Sequence, residues 1–365
     1  MSADLATFYD KTRDARKIVV VDLGFLGDTI HLIPALHELK RNYSWAELHV
    51  LTSPVGGEVL ALASCVDRAW AIEMSPHKRS LRQQWQVLRA LRDERFDVAF
   101  NFSGADRTIF MTAFTGAPWR VAYQGARSHF WNRWLVPFWI PFIEPSGPVF
   151  ERRREMLNLC GLNLAPPRFD LAIPNSAKEW AAAQIQGEAI HFSINASTHL
   201  KEWPLEHWIE LGKRPSRESQ PRILATGSDN PRERSRLDAF ASALKDSRVQ
   251  IFSGLSIARL AALLSQCSLH VGADSGVLHL AMALGLPTIS LFRDYPGLRG
   301  WLPRGPKHRS FTVKCACGGR NDGACQKLAA ALCLKEISPE AVARSVMETL
   351  ESRAAHSVAS KNLNG

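Results

Sequence analysis

Nowhere in its 365 residues does the chain carry an apolar run long enough to cross a bilayer. The best candidate, WLVPFWIPFI at 134–143, contains two prolines and falls short of the about 20 residues that a spanning helix takes. The opening segment, MSADLATFYDKTRDARK, is polar and mixed in charge, without the apolar centre of a secretory leader, so the sequence predicts a cytoplasmic protein. Cysteine is scarce, at seven, and its spacing shows no secreted disulfide framework. No repeat recurs at solenoid periods, which excludes an array architecture. No G-x-G-x-x-G turn is present, which weakens a dinucleotide-cofactor reading. No nucleic-acid recognition motif appears either, and the basic residues are spread along the chain, so nucleic acid is not an expected partner.

What is present suits a globular protein. Hydrophobic residues make up 46% and charged residues 22%, enough to bury real cores, and the length allows roughly two domains of about 150 residues. The net charge of +10 favours an anionic partner such as an acidic membrane surface or a phosphorylated substrate.

The first half alternates strand and helix patterns. KIVVVDL (17–23), ELHVLT (47–52), DRAWAI (67–72) and FDVAFNF (96–102) read as strands, the first as a continuous apolar run suited to a central parallel position. Between them, DTIHLIPALHELKRN (28–42) and SLRQQWQVLRALRDER (80–95) have helical spacing, with Pro34 expected to bend the former. Residues 119–150 break this cadence with Trp, Phe, Arg and prolines, and VFERRREMLNLCGL closes the half as a helix. NLAPPRFDLAIPNSA (163–177) has linker composition. The second half restarts with strands at 189–195, 222–226, 249–252, 268–273 and 287–292, and a clear helix in SIARLAALLSQ. The expectation is an α/β protein of two Rossmann-like domains with a cleft between them, with ligands bound beyond the carboxyl ends of strands. The tail after about residue 353 reads as disordered.

Three stretches carry chemistry. In GFLGD, Gly24 and Gly27 allow a tight strand-to-helix turn that sets Asp28 at the helix start, as a cap or as a carboxylate ready to take a proton. In SINASTHLKEWPLEHW (193–208), Ser197, Thr198 and Lys201 precede a Trp203-Pro204 helix opening, a combination that can cradle phosphate or serve as an ordinary capping loop. In GADSGVLHLAMALGLPT (272–288), Asp274, Ser275 and Gly276 begin a helix whose first N–H groups are unpaired, with His279 on its first turn. Asp274 disfavours a bare phosphate there and fits better as an acceptor for sugar hydroxyls or as a cap. The two later loops suit a nucleoside diphosphate, and the first offers a base.

With these motifs the chain resembles glycosyltransferase family 9, the ADP-heptose:lipopolysaccharide heptosyltransferases, from GFLGDTIHLIPAL through STHLKEWPLEHW and ILATGS to GADSGVLHLAMALGLPTISLF. The resemblance implies a GT-B fold and inverting transfer from ADP-L-glycero-D-manno-heptose to a lipopolysaccharide core-type acceptor, with no metal required. The absence of a D-x-D motif agrees with the last point. It implies an acceptor-binding domain over 1–165, a nucleotide-sugar domain over 175–340, and a C-terminal helix and flexible tail over 341–365. Asp28 matches the catalytic base. Lys201, with Ser197 or Thr198, matches the residues near the diphosphate, and Asp274, Ser275, Gly276 and His279 match the donor loop. An epimerase or another transferase of the same fold, and a non-catalytic nucleotide-sugar scaffold, are the alternatives.

Two positions depart from the pattern: Asp22 stands where Lys or Arg is frequent, and Asn101 where an acid is frequent. Acceptor contacts are expected from Arg107, Arg120 and Arg127. Arg133, Trp131 and Trp134 join Arg120 and Arg127 in a basic-aromatic segment suited either to an anionic glycolipid at the inner membrane surface or to a packed insert. Cys315, Cys317, Cys325 and Cys333, spaced C-x-C-x7-C-x7-C, put four of the seven cysteines in one span and suit a structural zinc or iron, or else are free thiols or a redox-labile pair.

Overall fold

Twelve strands form two six-stranded sheets in a computed structural model that describes residues 5–73, 80–124, 129, 131–141, 147–214, 221–294, 297–314 and 323–363. The chain divides into two units, Met1–Ala172 and Ile173–Gly365.

In the first unit, β1 (Lys17–Val21), β2 (Glu47–Thr52), β3 (Arg68–Ala71), β4 (Val98–Asn101), β5 (Trp119–Tyr123) and β6 (Phe138–Ile140) lie in the order β3-β2-β1-β4-β5-β6. Every pairing is parallel. This is the order of a doubly wound dinucleotide-type sheet, and its direction reverses between β1 and β4. Val19 and Val21 of the apolar β1 run share a core with Leu51, Trp70 and Ala99. The helix over Leu26–Asn42 starts two residues before the expected Asp28 and continues through Pro34.

In the second unit, β7 (Ala189–Ser193), β8 (Arg222–Gly227), β9 (Val249–Ser253), β10 (Leu269–Ala273), β11 (Thr288–Asp294) and β12 (His308–Lys314) lie in the order β12-β11-β10-β7-β8-β9, again parallel throughout. Counted from β7 this is the same strand order, and its reversal falls between β7 and β10. The final helix, Pro339–Leu363, runs on through residues 353–363, where the sequence reads as a disordered tail. No proline or glycine interrupts residues 340–363, so nothing in the sequence stops it. Val342, Val346 and Leu350 of that helix pack into the core beside Phe192, Trp203 and Trp208. Among the described residues, no helix is long and apolar enough to cross a membrane.

Candidate functional site

At the first reversal point, Val21 of β1 pairs with Asn101 of β4, so the turns after both strands leave the same edge of the sheet. Asp28 is half-buried at the third helical position, not the cap, and its Oδ2 accepts the Phe25 N–H at 3.1 Å. That back-bond is half of a capping box and holds the carboxylate over the helix start. Phe25 itself is 82% exposed. Asp22 is buried beside it, and its Oδ2 pairs with Arg153 Nη2 at 2.9 Å. Burial pushes the Asp22 carboxyl up and the Asp28 charge adds to this, while the Arg153 guanidinium pulls it down. The Val149–Leu159 helix thus supplies the counter-charge of Asp22. Asn101 turns its Oδ1 to the N–H groups of Ser103 (3.0 Å) and Gly104 (3.1 Å), and donates from Nδ2 to Thr112 Oγ1 at 2.9 Å. It is buried and shapes the turn.

At the second reversal point, Gly272 of β10 pairs with Ser193 of β7. The segments after both strands therefore emerge together, where ligands bind in such sheets. Lys201 Nζ and Asp274 Oδ2 meet at 2.7 Å, tying the two loops to each other. Ser193 Oγ and Ser275 Oγ lie 3.4 Å apart beneath them. Ser197 is exposed, and Thr198 Oγ1 accepts the Leu200 N–H at 3.3 Å. Ser275 caps the Gly276–Ala283 helix from an extended backbone, with no side-chain cap bond to occupy the helix start. His279 is buried, its ring 5.3 Å from Trp301.

The loop that carries Ser197, Thr198 and Lys201 is anchored on both sides. Trp203 is fully buried and donates from Nε1 to the Ile337 carbonyl at 3.1 Å. Glu202 Oε1 accepts the Ala196 N–H at 3.1 Å and pairs with Arg232. Behind the loops lies a polar pair that sequence reasoning did not single out. His191 Nδ1 meets His270 Nδ1 at 2.9 Å, and His191 Nε2 meets Thr226 Oγ1 at 3.0 Å. Both rings are wholly buried, and burial lowers the His191 pKa to about 3. Alternation in AIHFSIN and SLHVGA puts His191 and His270 together on the sheet face opposite Ile190, Phe192, Leu269 and Val271, which was the available signal.

The remaining expected residues separate. Arg107 is half-buried and donates to Gln84 Oε1 at 3.3 Å. Arg120 spends its guanidinium on the carbonyls of Leu135 (2.9 Å) and Ala117, and burial lowers its pKa. Arg127 lies outside the described residues, as do Cys315 and Cys317. Cys325 and Cys333 are half-buried, and Cys333 packs against the second core. Among the described residues, no three His, Cys, Asp or Glu side chains gather as a metal site. Trp134 is 84% exposed, and Phe110 lies 5.2 Å from the Trp131 ring.

Two doubly wound parallel units are the GT-B fold, the architecture of the solved heptosyltransferases. A family model for glycosyltransferase family 9 (heptosyltransferase) matches residues 84–317, and the chain belongs to that family. Lipopolysaccharide heptosyltransferase 1 of Pseudomonas aeruginosa is 24% identical over 323 residues, covering 82% of this chain and 85% of that protein. A family 9 glycosyltransferase from Veillonella parvula shares the fold with a TM-score of 0.78 at 17% identity, over 96% of this chain and 99% of its own. The Escherichia coli heptosyltransferase WaaC, solved with ADP-2-deoxy-2-fluoro heptose, does so with a TM-score of 0.69 at 18% identity, over 91% and 99%.

Proposed function

We propose that this glycosyltransferase moves a heptose from ADP-L-glycero-D-manno-heptose to a lipopolysaccharide core-type acceptor, inverting the anomeric centre. The observation that carries the reading is the Lys201–Asp274 contact of 2.7 Å. It brings the two donor-loop motifs together at the reversal point of the second sheet.

In this reading the Lys201 ammonium exchanges Asp274 for the donor diphosphate. The exposed Ser197 hydroxyl, the Thr198 hydroxyl and the open N–H groups at Ser275 and Gly276 add hydrogen bonds to it. These groups stabilise the charge that develops on the leaving ADP, which typically does more than any other single effect to lower the barrier of such a displacement. Asp274, once released, accepts from sugar hydroxyls, and His279 completes the donor loop. Asp28 removes the proton from the acceptor hydroxyl as that oxygen attacks the anomeric carbon from the face opposite ADP. Neither step calls on a metal. The spacing of Cys315, Cys317, Cys325 and Cys333 supports at most a structural zinc or iron. Stoichiometric metal in elemental analysis of the purified chain supports such a site, and a metal-free chain rejects it.

For the acceptor, the exposure of Trp134 and Phe110 favours a surface that meets lipid headgroups over a packed insert, with Arg107 as an acceptor contact. In this reading the reaction takes place at the cytoplasmic face of the inner membrane.

Calorimetric titration with ADP-heptose, ADP, and UDP- and GDP-sugars tests the donor. Selective micromolar binding of the ADP forms is expected, and preference for a UDP- or GDP-sugar rejects the heptose donor. Asp28→Asn is expected to bind ADP normally and to transfer at least about a hundredfold more slowly, the usual range for loss of a general base. Normal turnover in that variant rejects the base.

A further inference from the structure

Arg153 is held only 8% exposed, and both its terminal nitrogens serve the turn that carries Asp28. Nη2 donates to Asp22 Oδ2 at 2.9 Å, and Nη1 donates to the backbone carbonyl of Asp28 at 2.7 Å. The other Asp22 oxygen, Oδ1, accepts the Gly24 N–H at 2.9 Å. Gly24 has no side chain, and none would fit. A Cβ there would lie 2.3 Å from Asp28 Cβ and 2.9 Å from Asp22 Oδ1. The two acids are therefore packed across a residue that must be glycine. One guanidinium binds the side chain of the first acid and the main chain of the second.

An ion pair with Asp22 accounts for one arm of the fork. The second arm fixes the peptide of the residue that bears the carboxylate, and a planar guanidinium sets both contacts in a single geometry. Burial makes each partner dependent on the other, because either charge left alone in that site is strongly disfavoured. We propose that Arg153 is the positioning residue of Asp28, acting through the Asp28 main chain, and that Asp22 is the anchor that aims it. The inference rests on Asp28 being the general base.

A double-mutant cycle tests it, with ADP release measured from ADP-heptose and heptose-deficient lipopolysaccharide. Arg153→Lys keeps the charge opposite Asp22 but cannot hold two acceptors with a rigid fork. It is expected to lower kcat about tenfold to a hundredfold, the effect of a small misplacement, with the donor KM and the ADP affinity unchanged. In an Asp28→Asn background the same substitution is expected to cause no further loss, because it acts through the missing carboxylate. An equal fractional loss in both backgrounds is what a merely structural role produces, and it overturns the proposal. So does an unchanged kcat in Arg153→Lys alone. Full turnover by Asp28→Asn removes the base reading itself, so the two failures are told apart. If Arg153→Lys does not fold, Asp22→Asn, which retains an Oδ1 acceptor for Gly24 but not the anchoring charge, goes through the same cycle with the same expected pattern.

Discussion

Asp28 and Lys201 are placed by opposite means. The Asp28 carboxylate is held by its own helix start, through the Phe25 N–H, whereas Lys201 is held by a carboxylate on another loop. The Lys201 side chain remains 29% exposed, so its ion pair with Asp274 is partly hydrated and can be exchanged for a stronger anion. A charge-assisted contact to a diphosphate contributes roughly 1.5–3 kcal/mol. Lys201→Ala is therefore expected to weaken ADP binding about tenfold to a hundredfold in a calorimetric titration. Unchanged ADP affinity would show that Lys201 does not touch the diphosphate. The buried cysteines need no such role: burial pushes the thiols of Cys65, Cys160 and Cys267 up to about 12, and they behave as small apolar core residues.

Among the elements, the loop that carries Ser197, Thr198 and Lys201 is stiffened by what lies around it. Trp203 fills the second core and bonds the Ile337 carbonyl just before the last helix. Trp203→Ala is expected to lower stability by about 3–5 kcal/mol, read as a shift in a urea unfolding curve. A shift under about 1 kcal/mol would mean that the loop does not depend on that anchor. The His191–His270 pair between β7 and β10 adds a pH dependence. His191 is held at about 3 in the folded protein against an ordinary 6.5, so below pH 6.5 the unfolded chain takes up a proton that the folded chain does not. Its stabilising contribution is complete at pH 7 and is lost progressively as pH falls below 6.5 toward 3, at up to about 1.4 kcal/mol per pH unit. Stability of wild type and His191→Gln compared at pH 7 and pH 5 should show a shallower fall in the variant. Equal slopes would contradict a buried neutral imidazole. β1, an unbroken apolar run, and the largely apolar β7, β10 and β11 were legible in the sequence because they are buried along nearly their whole length. β6 and β12 were not. β6 is an apolar Phe138–Ile140 cut to three residues by a proline on each side, and β12 is an edge strand on which half-buried and exposed residues mix, so neither carries an apolar run of strand length. Arg153 was equally hidden, because its partner Asp22 lies 131 residues away in sequence. The only local signal was an acid at the end of an apolar strand, which demands a counter-charge.

Across the whole molecule, the two sheets repeat one strand order, and in each the chemistry-bearing turns leave the strands flanking the reversal. That duplication explains why the candidate residues were legible from motif and topology together. A loop after the first strand of each unit is where ligand-binding residues are placed. The proposed acceptor side was less legible, because the residues expected to form it fall in an aromatic-rich, proline-punctuated stretch of sequence with no periodic pattern. A net charge of +10 suits an anionic donor and an anionic lipid surface alike. Co-sedimentation with vesicles containing anionic lipid should therefore exceed that with neutral vesicles, and should weaken as salt is raised. Equal binding to both would argue against a charge-assisted surface.

The central claim is heptose transfer with Asp28 as its base. Purified protein incubated with ADP-heptose and heptose-deficient lipopolysaccharide, with the product read by mass spectrometry alongside ADP release, tests it most directly. The predicted result is acceptor-dependent ADP release with a heptose-extended product, slowed at least about a hundredfold by Asp28→Asn. Isomerised donor in the absence of acceptor, or bound ADP-heptose with no transfer, would contradict it.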